Sequence, residues 1–330
     1  MSDNVVDLPL PGAAKPRDTT FEVAAADLTK AGRVKRRLTS RTATIASLVI
    51  AVIWTIPTFG LLLSSFRPEE LIRTTGWWTV FQNPGFTLDN YRDVLFSSSS
   101  SAPQLGSYFV NSLAISIPAT IFPLVLASMA AYAFAWIKFK WSGALFVFIF
   151  ALQIVPIQMA LIPLLQMFTT ALQPMQEQIH AAIPIIPEDT YLQVWIAHTI
   201  FALPLAIFLL HNFISEIPSE VIEAAKVDGA SHSQLFFQIV LPLALPAIAS
   251  FAIFQFLWVW NDLLVALVFS GGTADVAPLT QRLAELSGNR GQDWQRLTAG
   301  AFVSLVVPLI VFFSLQRYFV RGLLAGSTKG

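Results

Sequence analysis

Cysteine is absent from the chain, which excludes disulfides and thiolate chemistry, although that absence by itself locates no compartment. Charge is scarce as well. Asp, Glu, Lys and Arg make up 12% of the 330 residues, against roughly 25% in a soluble globular domain, so water alone is a poor solvent for this sequence. Three chemical signatures are missing: the Gly-x-x-x-x-Gly-Lys-Ser/Thr loop that cradles nucleotide phosphates, the His-Glu-x-x-His pair that holds a catalytic metal, and the Gly-x-Ser-x-Gly elbow that presents a nucleophile. Their absence argues against ATP hydrolysis by this chain and against an intramembrane hydrolase. The formal net charge is zero, and no nucleic-acid partner is expected.

What is present is apolar. Hydrophobic residues make up 55% of the chain, and six segments reach the roughly 20 mostly apolar residues that a bilayer crossing needs: 42–64, 109–135, 142–168, 193–214, 243–269 and 297–319. The expected fold is all-α and integral to a membrane, with lipid around six transmembrane helices. An even number of spans puts both termini on one side. Lys and Arg collect in cytoplasmic loops near span ends, and here fourteen fall on the side of the termini against six on the other. The basic cluster from Arg33 to Arg41 abuts the first span, so both termini are expected in the cytoplasm of a cell-membrane protein. Residues 1–41 read as a largely disordered tail, 42–319 as the membrane domain and 320–330 as a C-terminal tail. Because the first apolar run starts only after about 40 polar residues, it is expected to persist as a span rather than be cleaved as a signal.

One polar segment between the fourth and fifth spans, about 216–242, is punctuated with unusual care. Pro218 and Ser219 start a helix and Gly229 stops it, which predicts helix over 220–228. Ser231 with Gln234 three residues on has the capping-box pattern, opening a second helix in which Leu235/Ile239 and Phe236/Val240 are i,i+4 apolar pairs; Pro242 is expected to stop it. The segment therefore reads as a cytoplasmic helix-turn-helix. Glu223 and Lys226 stand at i,i+3, and an ordinary amphipathic surface helix carrying that pair is the plainer alternative.

The same residues carry a resemblance. Glu223, Ala224, Ala225, Asp228, Gly229, Ile239, Leu241 and Pro242 match, in type and spacing, the Glu-Ala-Ala loop of the membrane subunits of ATP-binding-cassette importers. Further similar stretches are Phe86–Tyr91 in the first external loop, Asn111 and Ser112 at the start of span two, Ile162, Pro163 and Leu164 in span three, Trp260, Asn261 and Asp262 late in span five, and the tail from Gly322. The chain thus resembles the type I importer permease fold over about 42–330, and in particular the second, six-span permease of maltose, trehalose or α-glucoside systems. The resemblance implies a sister permease, two ATPase subunits carrying ATP and Mg, and an extracytoplasmic solute-binding protein, with no cofactor in this chain and a sugar as the solute. It implies that Glu223, Ala224, Ala225, Asp228, Gly229, Leu241 and Pro242 couple to an ATPase, and that Gly326, Ser327, Lys329 and Gly330 reach between the ATPase subunits; solvated disorder is the other reading of that tail. Glycerol-phosphate importers share the loop type. The connection 271–295 is either a contact for the binding protein or a passive connector.

Polar groups at membrane depth are costly unless they pair or line a water path. Gln153, Gln158, His198, His211, Asn212, Gln255, Asn261 and Asp262 all lie in or near spans, and interhelical hydrogen bonding is open to each of them. Gln255, Asn261, Asp262 and Trp258 are the candidates for a substrate path. Absence of Lys and Arg from the span middles favours a neutral solute. An ion-coupled secondary transporter would also have six spans and buried polar groups, but would not need the punctuated loop.

Overall fold

The computed structural model describes residues 41–96, 105–174, 177–178, 191–270, 272–273, 275–288 and 293–325. The expected N-terminal tail and the C-terminal residues Gly326, Ser327, Lys329 and Gly330 lie outside them. Five helices are long and apolar enough to cross a membrane: α1 (Arg41–Ser65), α4 (Leu105–Trp136), α7 (Tyr191–Ile214), α9 (His232–Trp260) and α12 (Trp294–Ala325). A sixth crossing is made if α5 (Ser142–Ala151) and α6 (Ile157–Met167), bent by 105° at the break between them, act as one span. No strand occurs among the described residues.

The helices α4, α7 and α9 form the centre. Ala119, Ala127 and Ala131 of α4 and Ala197 and Ala206 of α7 are fully buried. Small side chains at such a contact let backbones approach, which is how helices associate where lipid removes the hydrophobic drive. Trp195 of α7 donates its indole N–H to Ala114 O of α4 at 2.9 Å. At 32 residues, α4 spans about 48 Å at 1.5 Å per residue, more than the roughly 30 Å of a bilayer core, so its ends stand beyond the hydrocarbon.

On the side that holds the α1–α4 connection, short helices α2 (Glu69–Thr74) and α3 (Asp89–Phe96) pack near the start of α12. The Phe86–Tyr91 stretch pins them: Asn90, buried, donates to Ser65 O at 2.9 Å and Arg67 O at 2.8 Å, and the hydroxyls of Tyr91 and Ser65 meet at 2.7 Å. Asn111 donates to Ala277 O, and the Ser112 hydroxyl accepts the Leu279 N–H, so these two hold the loop ahead of α11 (Leu279–Gly288). Arg67 is 0% exposed, and its guanidinium donates to Gly76 O, Thr75 Oγ1 and Thr79 Oγ1, with no carboxylate ion-paired to it among the described residues. Replacing Arg67 with Ala removes three charge-assisted hydrogen bonds and leaves the space of a fully buried side chain, although Gly76 O, Thr75 Oγ1 and Thr79 Oγ1 each keep one other bond, a loss of about 3 kcal/mol. The expected result is a lower melting midpoint for the purified complex that Arg67→Lys does not restore, because an ammonium cannot reproduce the fork; an unchanged midpoint would contradict it.

Three expectations from sequence need correction. Span three, expected as one run over 142–168, is not one continuous helix: it breaks at Val155–Pro156, where Pro156 forces its predecessor into extended backbone (φ −70°, ψ 118°), whereas Pro163 lies inside α6 without interrupting it. Pro242 does not stop the helix opened by Ser231. That helix runs on as α9, with a π-helical turn over Leu235–Val240 directly ahead of the proline, a register shift that accommodates the missing N–H and the ring. Span five does not reach 269 as one helix. It ends at Trp260, where the Asn261 side chain donates to Leu257 O, and a separate short helix α10 (Leu264–Phe269) follows. The last helix runs to Ala325, into the first residues of the segment 320–330.

Candidate functional site

Two features carry chemistry. The first is the segment between α7 and α9. Helix α8 (Ser219–Val227) starts after Pro218 and ends with Gly229 at φ +85°, a left-handed conformation that favours glycine. The amides of Ala230 and Gly229 donate to Ala225 O (2.9 Å) and Lys226 O (3.0 Å), the pair of bonds that closes a Schellman cap. Both halves of the Ser231/Gln234 capping box then form at the start of α9. The turn is thus fixed at both sides by backbone chemistry legible in the sequence.

Packing fixes the face that α8 presents. Ile222 is 1% exposed, within an apolar cluster that contains Ile217, Leu235, Phe236 and Val240 from this segment and Leu210, Ile214 and Tyr132 from α7 and α4. The Tyr132 hydroxyl lies 2.8 Å from His232 Nδ1, tying the start of α9 to the end of α4. The opposite face is left free. Val221, Glu223, Ala224, Val227 and Asp228 are all exposed, Val227 at 87%. Glu223 makes no ion pair with Lys226 or with any other described residue, so the intrahelical pair of the plainer reading does not form. Small and apolar side chains thus stand beside an unpaired carboxylate on a helix backed by the core. Leu241 and Pro242 stand apart from it, in the α9 shaft.

The second feature is a small cleft of about 50 Å³ between α7, α9 and the breaks of two membrane segments. Its wall takes Gln153 from the turn before Pro156, His198 and Phe201 from α7, Gln255 and Trp258 from α9, and Asp262 from the break after Trp260. Backbone that leaves the helix at membrane depth is tolerated where it is covered by protein or lines a watery cavity, and both breaks meet here. Asp262 is held firmly: Ala266 N–H donates to Oδ2 at 3.0 Å, Val265 N–H reaches Oδ1 at 3.4 Å, and the Thr280 hydroxyl donates to the Asp262 carbonyl at 2.6 Å. His198, 7% exposed, places Nε2 3.7 Å from Asp262 Oδ2, beyond hydrogen-bond range, and that nitrogen has no other partner among the described residues. Gln255 donates through Nε2 to Ala119 O of α4 at 3.2 Å.

Of the four path candidates, Gln255, Trp258 and Asp262 come together in this cleft, and Asn261 does not: it is exposed, its amide spent on Leu257 O. Gln153 and His198, two members of the longer set of intramembrane polar residues, join the cleft, while His211 stacks against Phe146 with ring centroids 4.4 Å apart, and Gln158 and Asn212 are not among the lining. The apolar lining, including Phe201 and Phe251, was not singled out, since an aromatic in a span carries no mark that separates a cavity wall from a lipid-facing side.

With this geometry in hand, comparison with known proteins is direct. A model of the family described as binding-protein-dependent transport system inner membrane component matches residues 123–324. The osmoprotective compounds uptake permease protein GgtD of Synechocystis sp. is 54% identical over 289 residues, covering 86% of this chain and 91% of that protein. The alpha-glucoside transport system permease protein AglG of Rhizobium meliloti is 51% identical over 254 residues, covering 77% of this chain and 63% of that protein. Among solved structures, a chain of a bacterial ABC transporter involved in the import of the acidic polysaccharide alginate superposes with a TM-score of 0.57 at 18% identity, over 86% of this chain and 99% of that one, a likeness of fold.

Proposed function

The chain belongs to the family of binding-protein-dependent transport system inner membrane components, and on that premise we propose that it forms half of the translocation path of an ATP-driven importer for a neutral sugar or oligosaccharide. As a member of this family it is a multi-pass, non-catalytic membrane subunit. Hydrolysis belongs to two separate ATPase subunits that bind ATP and Mg, a sister permease supplies the other half of the path, and an extracytoplasmic solute-binding protein delivers the solute. Both termini and the α7–α9 segment face the cytoplasm, which brings α8 to the side where ATP is.

The observation that carries the reading is the outward face of α8: exposed Glu223 with no partner, beside Ala224, on a helix locked by its cap and core. Ala224, exposed, allows close approach of the ATPase, whereas Ala225 packs against the apolar cluster beneath the helix, and Glu223 meets one of the ATPase's cations. Closure of the ATPase dimer on ATP then moves α8. Because α9 runs without a stop from Ser231 through the membrane to Trp260, that motion passes directly to the cleft, and the path switches from inward- to outward-facing. Hydrolysis resets it. Asp262 is the one charged side chain in the cleft wall and no Lys or Arg lines it, which supports a neutral solute over a phosphorylated one. The alpha-glucoside permease among the relatives is in keeping with a sugar.

Affinity purification of the chain from its native membrane tests the reading. Recovery of a sister permease and an ATPase whose turnover responds to one sugar-loaded binding protein is the expected result; recovery of the chain alone, with ATP-independent uptake in vesicles, would favour a secondary transporter. Gly326, Ser327, Lys329 and Gly330 form a second contact with the ATPase pair, so deletion of 327–330 is expected to lower sugar-stimulated ATPase activity, and wild-type activity would reject that contact.

A further inference from the structure

We propose that His198 and Asp262, with Gln153 and Gln255, form a hydroxyl-recognition site for a neutral polyhydroxylated solute, so that this subunit reads the solute itself rather than merely enclosing it. The proposal rests on the importer reading above and assigns the substrate contacts within it. Its starting point is the unpartnered Nε2 of His198, more than nine-tenths buried in the cleft wall. A buried polar atom without a hydrogen bond is uncommon and calls for an explanation. Asp262 Oδ2 stands opposite at 3.7 Å and is kept from swinging away by the Ala266 amide. A solute hydroxyl that accepts from His198 Nε2–H and donates to Asp262 Oδ2, each at about 2.8 Å with tetrahedral geometry, needs them about 4.6 Å apart, less than about 1 Å more than they stand. A small opening of the cleft, of the kind that alternating access requires, therefore converts an unmade pair into a bridged one.

The rest of the wall fits the same chemistry. Gln255 is held by one bond through Nε2 to Ala119 O, and no described residue donates to its Oε1. Gln153 offers a further amide at the mouth. Each of these groups, apart from the carboxylate, combines donor and acceptor, and so does each hydroxyl of a sugar or polyol. Trp258, 55% exposed, and Phe201 offer faces for the apolar side of a ring. A quaternary ammonium compound would take the carboxylate and the aromatic faces but leave His198 Nε2 without a partner, which argues against it. An anion would meet Asp262.

The test uses the complete importer in proteoliposomes with saturating solute-loaded binding protein, so that rates report the permease. Labelled trehalose, sucrose and maltose are offered, with glycine betaine as the quaternary ammonium probe, and the best sugar is then compared with its monodeoxy analogues. Wild type is expected to move at least one deoxy analogue about tenfold more slowly than the parent, the effect of one unmade buried hydrogen bond. In His198→Ala that ratio is expected to collapse towards one. Asp262→Asn, which keeps an acceptor for the α10 amides, reads the same pair from the other side should the alanine variant not reach the membrane, and the same collapse is expected. An unchanged parent-to-analogue ratio in the variant that assembles, or no discrimination in wild type, overturns the site while leaving the sugar importer standing. Uptake of glycine betaine and of none of the sugars overturns both.

Discussion

Glu223→Ala is expected to bring ATP-driven uptake to background while the chain still inserts and folds. Nothing within the protein depends on the carboxylate: it is exposed, has no ion pair among the described residues, and occupies a helix position that alanine suits better than glutamate. Its value arises when the ATPase docks and a basic side chain is buried against it. Removing one member of a buried ion pair strands the other, at a cost of about 3–5 kcal/mol. At 1.4 kcal/mol per tenfold, that is roughly 10²–10³ in docking affinity. Co-purification of the ATPase and uptake into vesicles check the expectation, and unchanged transport at normal protein level would sink it.

One position earlier, Ile222→Asp should act by another route. Ile222 points into the cluster that joins α8 to Leu210 and Ile214 of α7 and Leu235 of α9. A carboxylate there has no partner and loses the burial of the isoleucine as well; such changes rank with the most severe single substitutions, at about 4 kcal/mol or more. The expected outcome is a low level of folded chain, or a chain cut readily by protease within 216–230. If Ile222→Asp instead accumulated normally and failed only in coupling, the packing of α8 would not be what positions its face. The neighbouring pair thus separates docking from folding within a single turn of helix.

These two residues also show how much was legible beforehand. Local rules wrote the α8 turn into the sequence: Gly229 does adopt the left-handed conformation, and Ser231 and Gln234 do form their box. Helix ends in the membrane followed from apolar length within a few residues for α1 and α7. Proline was a poorer guide. Pro57, Pro118, Pro123, Pro163, Pro204, Pro246 and Pro308 all lie inside helices, and among the described membrane segments the sharp bend falls at Pro156, because freed carbonyls inside a helix can be satisfied by neighbours that a sequence does not identify. The break after Trp260 was hidden for a similar reason: the run 243–269 is apolar enough to be one span, and at the helix end a polar side chain, Asn261, turns back to donate to the Leu257 carbonyl one turn earlier. The cleft was the least legible part. Gln153, His198, Gln255 and Asp262 are more than a hundred residues apart end to end, and only the packing of α7 against α9 and the two breaks brings them to one wall.

The central claim, that the outer face of α8 is an ATPase seat in the cytoplasm, is tested most directly by a single-cysteine variant, which the cysteine-free chain allows without background. Ala224→Cys, in the assembled importer, is expected to cross-link to an ATPase subunit, to react with a membrane-impermeant maleimide only from the cytoplasmic side, and to be shielded from it until the ATPase is stripped away. Labelling from the outside, or equal labelling with and without the ATPase and no cross-link, would contradict it.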